Sequence, residues 1–218
     1  MRSLHRHVAL ALGLVLSVII VLPAAAGAPS DQLKSQVDRV LKTLDDPELK
    51  KEGRGKDRRV AVRKIANDIF DFSETAKRSL GRHWQARTPA EQSEFVLLFS
   101  DLLERSYLSK IELYGGEKIQ YLSDAVENGD QAKVLTKIVA RQGSEIPIEY
   151  RMHKKGERWL VYDVMIEGVS LVSNYRTQFN KIIQTASFED LIQKLRAKQV
   201  ELTADDQSKG TKVTPVKK

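Results

Sequence analysis

The sequence contains no cysteine. That excludes disulfides, thiolate-ligated zinc and thiol catalysis, and it excludes a lipoprotein anchor, which needs a thiol to acylate. Histidine is nearly as scarce. Of the four present, only His83 and His153 lie beyond the N-terminal leader, far apart in sequence and without metal-ligand spacing, so each reads as a surface or core residue and no metal or other cofactor is expected. Long hydrophobic runs are also missing. The longest apolar stretch, Val8 to Leu22, is short for a bilayer span of about 20 residues. Charge comes in no block: the formal net charge is +7, spread along the chain, and it falls to +5 once Arg2 and Arg6 leave with the leader. Nucleic acid is therefore not an expected partner, whereas a mild attraction to anionic lipid surfaces or acidic partner faces stays open. The sequence lacks a phosphate-binding loop, an internal repeat and a G-x-S-x-G elbow; Ser170, in Glu167-Gly168-Val169-Ser170-Leu171, reads as a helix N-cap instead.

The leader has three parts. Arg2 and Arg6 form a basic start, Val8 to Leu22 an apolar core, and Ala24-Ala25-Ala26 a small-residue cleavage site, which predicts a secretory signal over 1–26, cleaved after Ala26, and an exported, soluble product. Residues 27–202 have the length of a single domain. Residues 203–218 are polar, with few apolar side chains, and read as a disordered tail.

Helical periodicity dominates the first half. Ser30 is read as the N-cap of a first helix carrying Leu33, Val37, Val40, Leu41 and Leu44, ended by Asp45-Asp46-Pro47. Residues 48–59 are charged and broken by glycine, and read as a solvated loop or frayed helix. Val60, Ile65, Ile69 and Phe72 resume a helical stripe that runs through Ala76 and Leu80 to Gly81 and Trp84. Thr88-Pro89-Ala90-Glu91 combines an N-cap, a first-turn proline and a capping-box glutamate. It starts a long helix with the stripe Phe95, Phe99, Leu102, Leu103, Tyr107 and Ile111, stopped by Gly115-Gly116.

The second half reads as strands. Ile119–Val126, a turn at Glu127-Asn128-Gly129-Asp130, and Ala132–Arg141 give two, with Val134, Thr136, Ile138 and Ala140 sharing a face. The stretch from Glu145 to Arg176 organises the rest. Ile146, Ile148, Tyr150 and Met152 alternate with polar residues, Lys154-Lys155-Gly156-Glu157-Arg158 makes a turn, and Trp159 to Ile166 forms a strand apolar on both sides. In that strand simple alternation puts Leu160, Tyr162, Val164 and Ile166 on one face, and Trp159, Val161 and Met165 on the other. Gly168 leads into a helix with Phe179, Ile182 and Ile183, and Ser187 caps a last one through Phe188, Leu191, Ile192 and Leu195. Helices, four antiparallel strands and helices again make an α+β fold with helices on one sheet face.

The strings Y-R-M and W-x-V-Y-D-V-x-I-E-G-V-S-L-V-x-N-Y-R-x-Q-F, preceded by Phe70-Asp71-Phe72, Ala76, Leu80-Gly81, Trp84, Phe95, Phe99, Leu102-Leu103 and Tyr107, resemble the MlaC family. Its members are periplasmic phospholipid carriers of the maintenance-of-lipid-asymmetry pathway, also labelled toluene-tolerance proteins. The resemblance covers roughly residues 60 to 196. It implies a curved four-stranded sheet and helices closing around a deep apolar cavity, similar to the cone-shaped nuclear-transport-factor-like folds. The acyl chains would meet Phe72, Leu80, Trp84, Phe95, Phe99, Leu102, Leu103 and Tyr107 from the helices. From the sheet and its exit they would meet Ile138, Ile148, Tyr150, Met152, Val164, Ile166, Val169 and Leu171. It also implies a carrier without enzymatic activity that exchanges phospholipid with an outer-membrane lipoprotein–porin complex and an inner-membrane ABC transporter bearing a ring of mammalian-cell-entry domains; the lack of thiols, clustered histidines and phosphate loops reads as a cofactor-free monomer.

The residues by themselves leave alternatives. Periodicity alone is met equally well by stripes that fill one another, as in a periplasmic adaptor with a closed core. Tyr150 with Asp163, a carboxyl in an otherwise apolar strand, could serve as proton-transfer groups of a small-molecule enzyme, although a structural carboxylate paired with an arginine or capping amides is the simpler role. Lys154, Lys155 and Arg158 at the hairpin tip form either a plain polar turn or a contact for an acidic partner or phosphate.

Overall fold

A computed structural model of the protein describes residues 28–112 and 115–197. The predicted leader with its cleavage site, the Gly115-Gly116 stop's preceding residues 113–114, and the predicted tail 203–218 lie outside the described residues. In chain order come α1 (Pro29–Asp45), α2 (Pro47–Lys50), α3 (Gly55–Ile69), α4 (Phe72–Leu80), a 3-10 turn at Gly81–His83 and α5 (Pro89–Glu112). Then follow β1 (Lys118–Glu127), β2 (Gln131–Val139), β3 (Glu145–Lys155), β4 (Arg158–Ile166), β5 (Val169–Ser170), α6 (Leu171–Thr185) and α7 (Phe188–Arg196). The fold is α+β. Its sheet is antiparallel and open, in the order β1-β2-β3-β4-β5.

The four expected strands are thus five. Glu167 and Gly168 both take positive φ, +50° and +82°, the primed geometry of a two-residue hairpin turn, so the chain folds back for one more pair, Ile166 with Val169. Ser170 then closes β5 and caps α6, accepting from the Ser173 amide at 3.0 Å.

Local chemistry explains most helix ends. Thr88 and Glu91 form the expected reciprocal box, the Thr88 amide donating to Glu91 Oε2 at 2.7 Å and the Glu91 amide to Thr88 Oγ1 at 3.3 Å. Ser187 accepts from the Asp190 amide at 3.0 Å. Ser30 does not cap α1: Pro29, lacking an N–H, takes the first helical position, and Ser30 is left free to donate its hydroxyl to Asp124 on β1 at 2.7 Å. Residues 48–59 are more ordered than their charge suggests, because Asp46 caps α2 and α3 begins at Gly55. On α3 Val62 rather than Val60 is buried; Val60 is 61% exposed. The stripe ending in Phe72 is two helices, since Phe70 leaves helical geometry, its backbone bridges to Val161, and Asp71 caps α4 by accepting from the Glu74 amide at 3.0 Å. Gly81 ends α4 at φ +58°, where a Cβ would also press on the Arg176 side chain at 3.3 Å.

The sheet's faces depart from simple alternation at two bulges, one at Leu122 and one at Tyr162. An inserted residue flips the phase of everything beyond it. Arg151 pairs with Asp163 but Met152 with Val161, so Trp159 and Val161 share the inner face with Val164 and Ile166, while Leu160 and Asp163 take the outer one. This corrects the facial assignment drawn from the sequence.

Burial divides into two main cores. One unites α4, α5, α6 and α7 around Phe95, Phe99, Tyr175 and Phe179. The other lies between the inner sheet face and α1 with α3, built from Leu33, Ile65, Ile69, Val134, Met152, Trp159 and Val161. Leu44 and Val62 form a small third contact.

Candidate functional site

The inner sheet face is an apolar surface covered by helices. Val134 on β2, Ile148 and Met152 on β3 and Val161 and Val164 on β4 form its floor, and α1 lies across it with Leu33, Val37 and Val40 pointing down. Two bonds fix the start of this helix to both sides of the sheet. Ser30 meets Asp124, and Gln32 accepts from the Trp159 amide at 3.0 Å through Oε1.

Two grooves flank α1, where one deep cavity was expected. The first, about 360 Å³, runs between α1, the end of α3 and the β3–β4 hairpin, and reaches Leu33, Ile69, Met152 and Trp159 beneath a rim of Asp31, Asp68, Glu157 and Arg158. The second, about 410 Å³, follows the α1–β1 side, with Val37, Leu41, Ile119 and Tyr121 inside and Lys34, Asp38, Glu117 and Lys118 at its rim. The inner-face side chains close up against α1 between them. Arg158 is committed to Asp68, donating to its carbonyl at 2.6 Å.

Polar groups inside are hydroxyls. Burial, with Tyr150 and Asp38 nearby, pushes the Tyr121 hydroxyl far above its usual range. Burial also raises Tyr150, against a smaller opposing pull from a Thr136 hydrogen bond. Both remain protonated donors at any physiological pH, and neither can act as a base.

The expected ligand residues fall into two groups. Ile138, Ile148, Tyr150, Met152, Val164, Ile166 and Leu171 come together in the inner-face core, and Val169 sits at its open end, 39% exposed and paired with Ile166. Leu80, Trp84, Phe95, Phe99, Leu102 and Leu103 are instead in the helical core. There the aromatic rings pack on one another, with Phe99 4.9 Å from Tyr175 and 5.1 Å from Phe179 in edge-on geometry. Tyr107 lies beside Tyr175, and Phe72 stacks on Phe70 at 5.7 Å. Trp159, Val161 and Tyr121 are inner-face residues that the sequence reading left out, because both bulges hide their phase. Thr136 was readable by its alternation with Val134 and Ile138.

Asp163 is a structural carboxylate. It is 5% exposed, with Oδ2 accepting from Ser170 Oγ at 2.6 Å, Oδ1 from the Val172 amide at 3.0 Å, and Arg151 3.8 Å away. It faces outward and Tyr150 inward, so the two cannot exchange a proton. His83 is bonded to Asn180 at 3.0 Å, and His153 lies 3.2 Å from Asp71. Among the described residues no three His, Asp or Glu gather as a metal would need, and no helix is long and apolar enough to cross a membrane. At the hairpin tip Lys155 pairs with Asp71 at 3.0 Å, so it ties the turn to α4.

Fold and site together describe an α+β domain with an apolar sheet face covered by α1 and the end of α3. The chain belongs to the MlaC family, whose model, described as MlaC protein, matches residues 34–197. It is similar, at 24% identity over 140 residues, to the intermembrane phospholipid transport system binding protein MlaC of Haemophilus influenzae, covering 61% of this chain and 65% of that protein. It is 22% identical over 125 residues to toluene tolerance protein ttg2D of Pseudomonas putida, covering 57% and 58%. The matches thus span somewhat less than two thirds of these relatives. In structure it is similar to a phospholipid-binding protein from Ralstonia solanacearum solved in complex with a phospholipid, with TM-score 0.71 and 26% identity over 80% of this chain and 98% of that one.

Proposed function

We propose that this protein is a periplasmic phospholipid carrier. On this reading the leader is removed after Ala26, 27–202 form one monomeric domain, and the protein moves lipid between an outer-membrane lipoprotein–porin complex and an inner-membrane ABC transporter with mammalian-cell-entry domains, maintaining the asymmetry of the outer membrane. The observation that carries the reading is the Ralstonia relative, which aligns over 98% of its length and holds a phospholipid; the names of the Haemophilus and Pseudomonas relatives support it. The acyl chains are assigned to the inner face, where they part α1 from the sheet and join the two grooves into one cone-like cavity. Phe95, Phe99 and their neighbours support the site from outside without touching lipid.

The physics asks for little else. Two acyl chains carry about 30 methylenes, and exposing them to water costs roughly 20 to 25 kcal/mol at about 0.8 kcal/mol each. Chains leaving a bilayer for an equally apolar face change this term little, so partners set the direction and the carrier makes or breaks no bond.

The test is organic extraction of the gently purified protein followed by mass spectrometry. Near-stoichiometric phospholipid is expected. A well-folded protein that neither retains lipid nor acquires it from phosphatidylglycerol vesicles overturns the reading.

A further inference from the structure

Three hydroxyls interrupt the hydrocarbon of the inner face, on three neighbouring strands. Tyr121 on β1 stands directly opposite Thr136 on β2, and Tyr150 on β3 pairs with Val134, one step along the same face from Thr136. Thr136 is 2% exposed. Its Oγ1 and the Tyr121 hydroxyl are buried without a well-shaped hydrogen bond among the described residues, and the Tyr150 hydroxyl lies close enough to Thr136 to interact with it. Buried polar groups are nearly always paired, and an unpaired one carries its full desolvation cost. Valine and phenylalanine would fill the same volume without that cost, so packing does not account for the hydroxyls.

We propose that Tyr121, Thr136 and Tyr150 form a polar subsite that donates hydrogen bonds to the acyl carbonyl oxygen of the bound lipid. This rests on the carrier reading above. The charged groups that bear on the set are Asp38 of α1 and Lys34, which pairs with it at 2.8 Å. Their charges cancel, so the subsite offers donors without net charge and suits a neutral acceptor better than a phosphate. Its place fits the same chemistry. Tyr121 lies in the second groove, where the charged rim of Glu117 and Lys118 gives way to Val37 and Ile119. In a diacyl lipid the ester stands at that same boundary, between a charged head group and hydrocarbon. The chains beyond it would run over Val134 and Met152. An acyl carbonyl can come from a diester phospholipid or from the carboxyl end of a free fatty acid, which an uncharged buried site holds in its protonated form.

The experiment uses delipidated, purified protein and competitive binding of three ligands: a diester phosphatidylglycerol, its diether analogue with the same chains, and palmitic acid. The variants are Tyr121→Phe, Thr136→Val and Tyr150→Phe, singly and together, with Thr136→Ser as the conservative control. The wild type should prefer diester to diether by about 2- to 10-fold for each hydrogen bond made. The triple variant should lose the preference with diether affinity unchanged, Thr136→Ser should keep it, and lipid-free Tyr121→Phe and Thr136→Val should melt no lower than wild type, since those two hydroxyls make no well-shaped bond. Should palmitic acid alone respond to the variants, the carbonyl belongs to a free fatty acid and the subsite stands. If wild type binds diester and diether equally and palmitic acid ignores the substitutions, the subsite is wrong while the carrier reading survives. Variants that melt far below wild type and keep the preference would show a purely structural role and overturn it too. Binding of neither phospholipid overturns both.

Discussion

Val169→Glu separates ligand loss from fold loss. Val169 is 39% exposed, on the two-residue β5, beside Ile166. In the lipid-free protein a glutamate there keeps its carboxylate in water, and the change should cost no more than about 0.5 kcal/mol, as for most surface substitutions. Bound acyl chains would lie against it. Desolvation by hydrocarbon raises a carboxyl pKa, and a rise of about two units in the lipid-bound state amounts to about 2.7 kcal/mol, or about 100-fold in affinity at neutral pH. The sign fixes the pH dependence. A group whose bound-state pKa is raised carries no penalty below its free value of about 4.3 and the whole penalty above its bound value, so lipid retention should recover partly at pH 5 and fail at pH 8. The assay is phospholipid per protein by mass spectrometry, with melting curves, for wild type, Val169→Glu and Val169→Ile at both pH values. Normal lipid content at pH 8 in a well-folded Val169→Glu protein would refute the placement of the chains. A steep fall in melting temperature would show that Val169 is core despite its exposure.

Asp163→Ala should destabilise by about 2 to 4 kcal/mol in urea unfolding, because it strips charge-assisted bonds from Ser170 and the Val172 amide; an unchanged midpoint would remove the carboxylate from the structural role given to it. The Asp71 carboxyl is pushed up by burial, but the Glu74 amide, Lys155 and His153 outweigh this and hold it below its ordinary value of 3.8. A depressed folded pKa gives stability that is present above 3.8 and lost as pH falls through the lower folded value, so the gap in urea midpoint between wild type and Asp71→Ala should be full at pH 5 and shrink below pH 3.8. Phe99→Ala should cost about 3 to 5 kcal/mol whether or not lipid is present, and a loss seen only in the lipid-loaded protein would return Phe99 to the ligand site. Glu167→Gly should raise the urea midpoint by the equivalent of about 0.5 to 1 kcal/mol by relieving a side chain at φ +50°.

Signals written in adjacent residues were legible in the sequence. Thr88-Pro89-Ala90-Glu91, Ser170 and Ser187 each declare a helix start, and each forms the expected bond. The alternation of Ile146, Ile148, Tyr150 and Met152 marked the inner face of β3. What stayed hidden depends on contacts between distant segments. A bulge adds one residue without any compositional mark, so Tyr162 shifted the faces of β4, and Leu122 concealed Tyr121. Periodicity reports that a stripe is buried but not what covers it. Phe95 and Phe99 read as strongly as Ile148 and Met152, yet the first pair packs on Tyr175 and Phe179 and the second lies under α1. Proline also misled: Pro29 set the start of α1 two residues earlier, which turned a presumed cap, Ser30, into a tether to β1.

The division into two cores has a mechanical consequence for a carrier. A protein that must exist both loaded and unloaded cannot draw its whole stability from the surface it lends to a ligand. Here α4, α5, α6 and α7 close on an aromatic core that needs nothing from the inner sheet face. That core is joined to the sheet at β4, through Asp163 at the head of α6 and Asp71 at the head of α4, where the Asp71 amide donates to the Val161 carbonyl at 2.9 Å. The inner face, by contrast, is covered by α1 with the end of α3, and α1 is tethered at its start by Ser30 and Gln32 and flanked by grooves on both sides. Exchanging α1 contacts for methylenes there trades one apolar neighbour for another, while the bonds of Asp163 that fix β4 to α6 lie on its outer face and the Asp71 amide meets β4 at its edge. On the carrier reading proposed above, ligand then comes and goes with the helical half of the molecule unchanged. The same logic separates the two aromatic sets by experiment: substitutions in the helical core should move stability, and substitutions on the inner face should move lipid affinity.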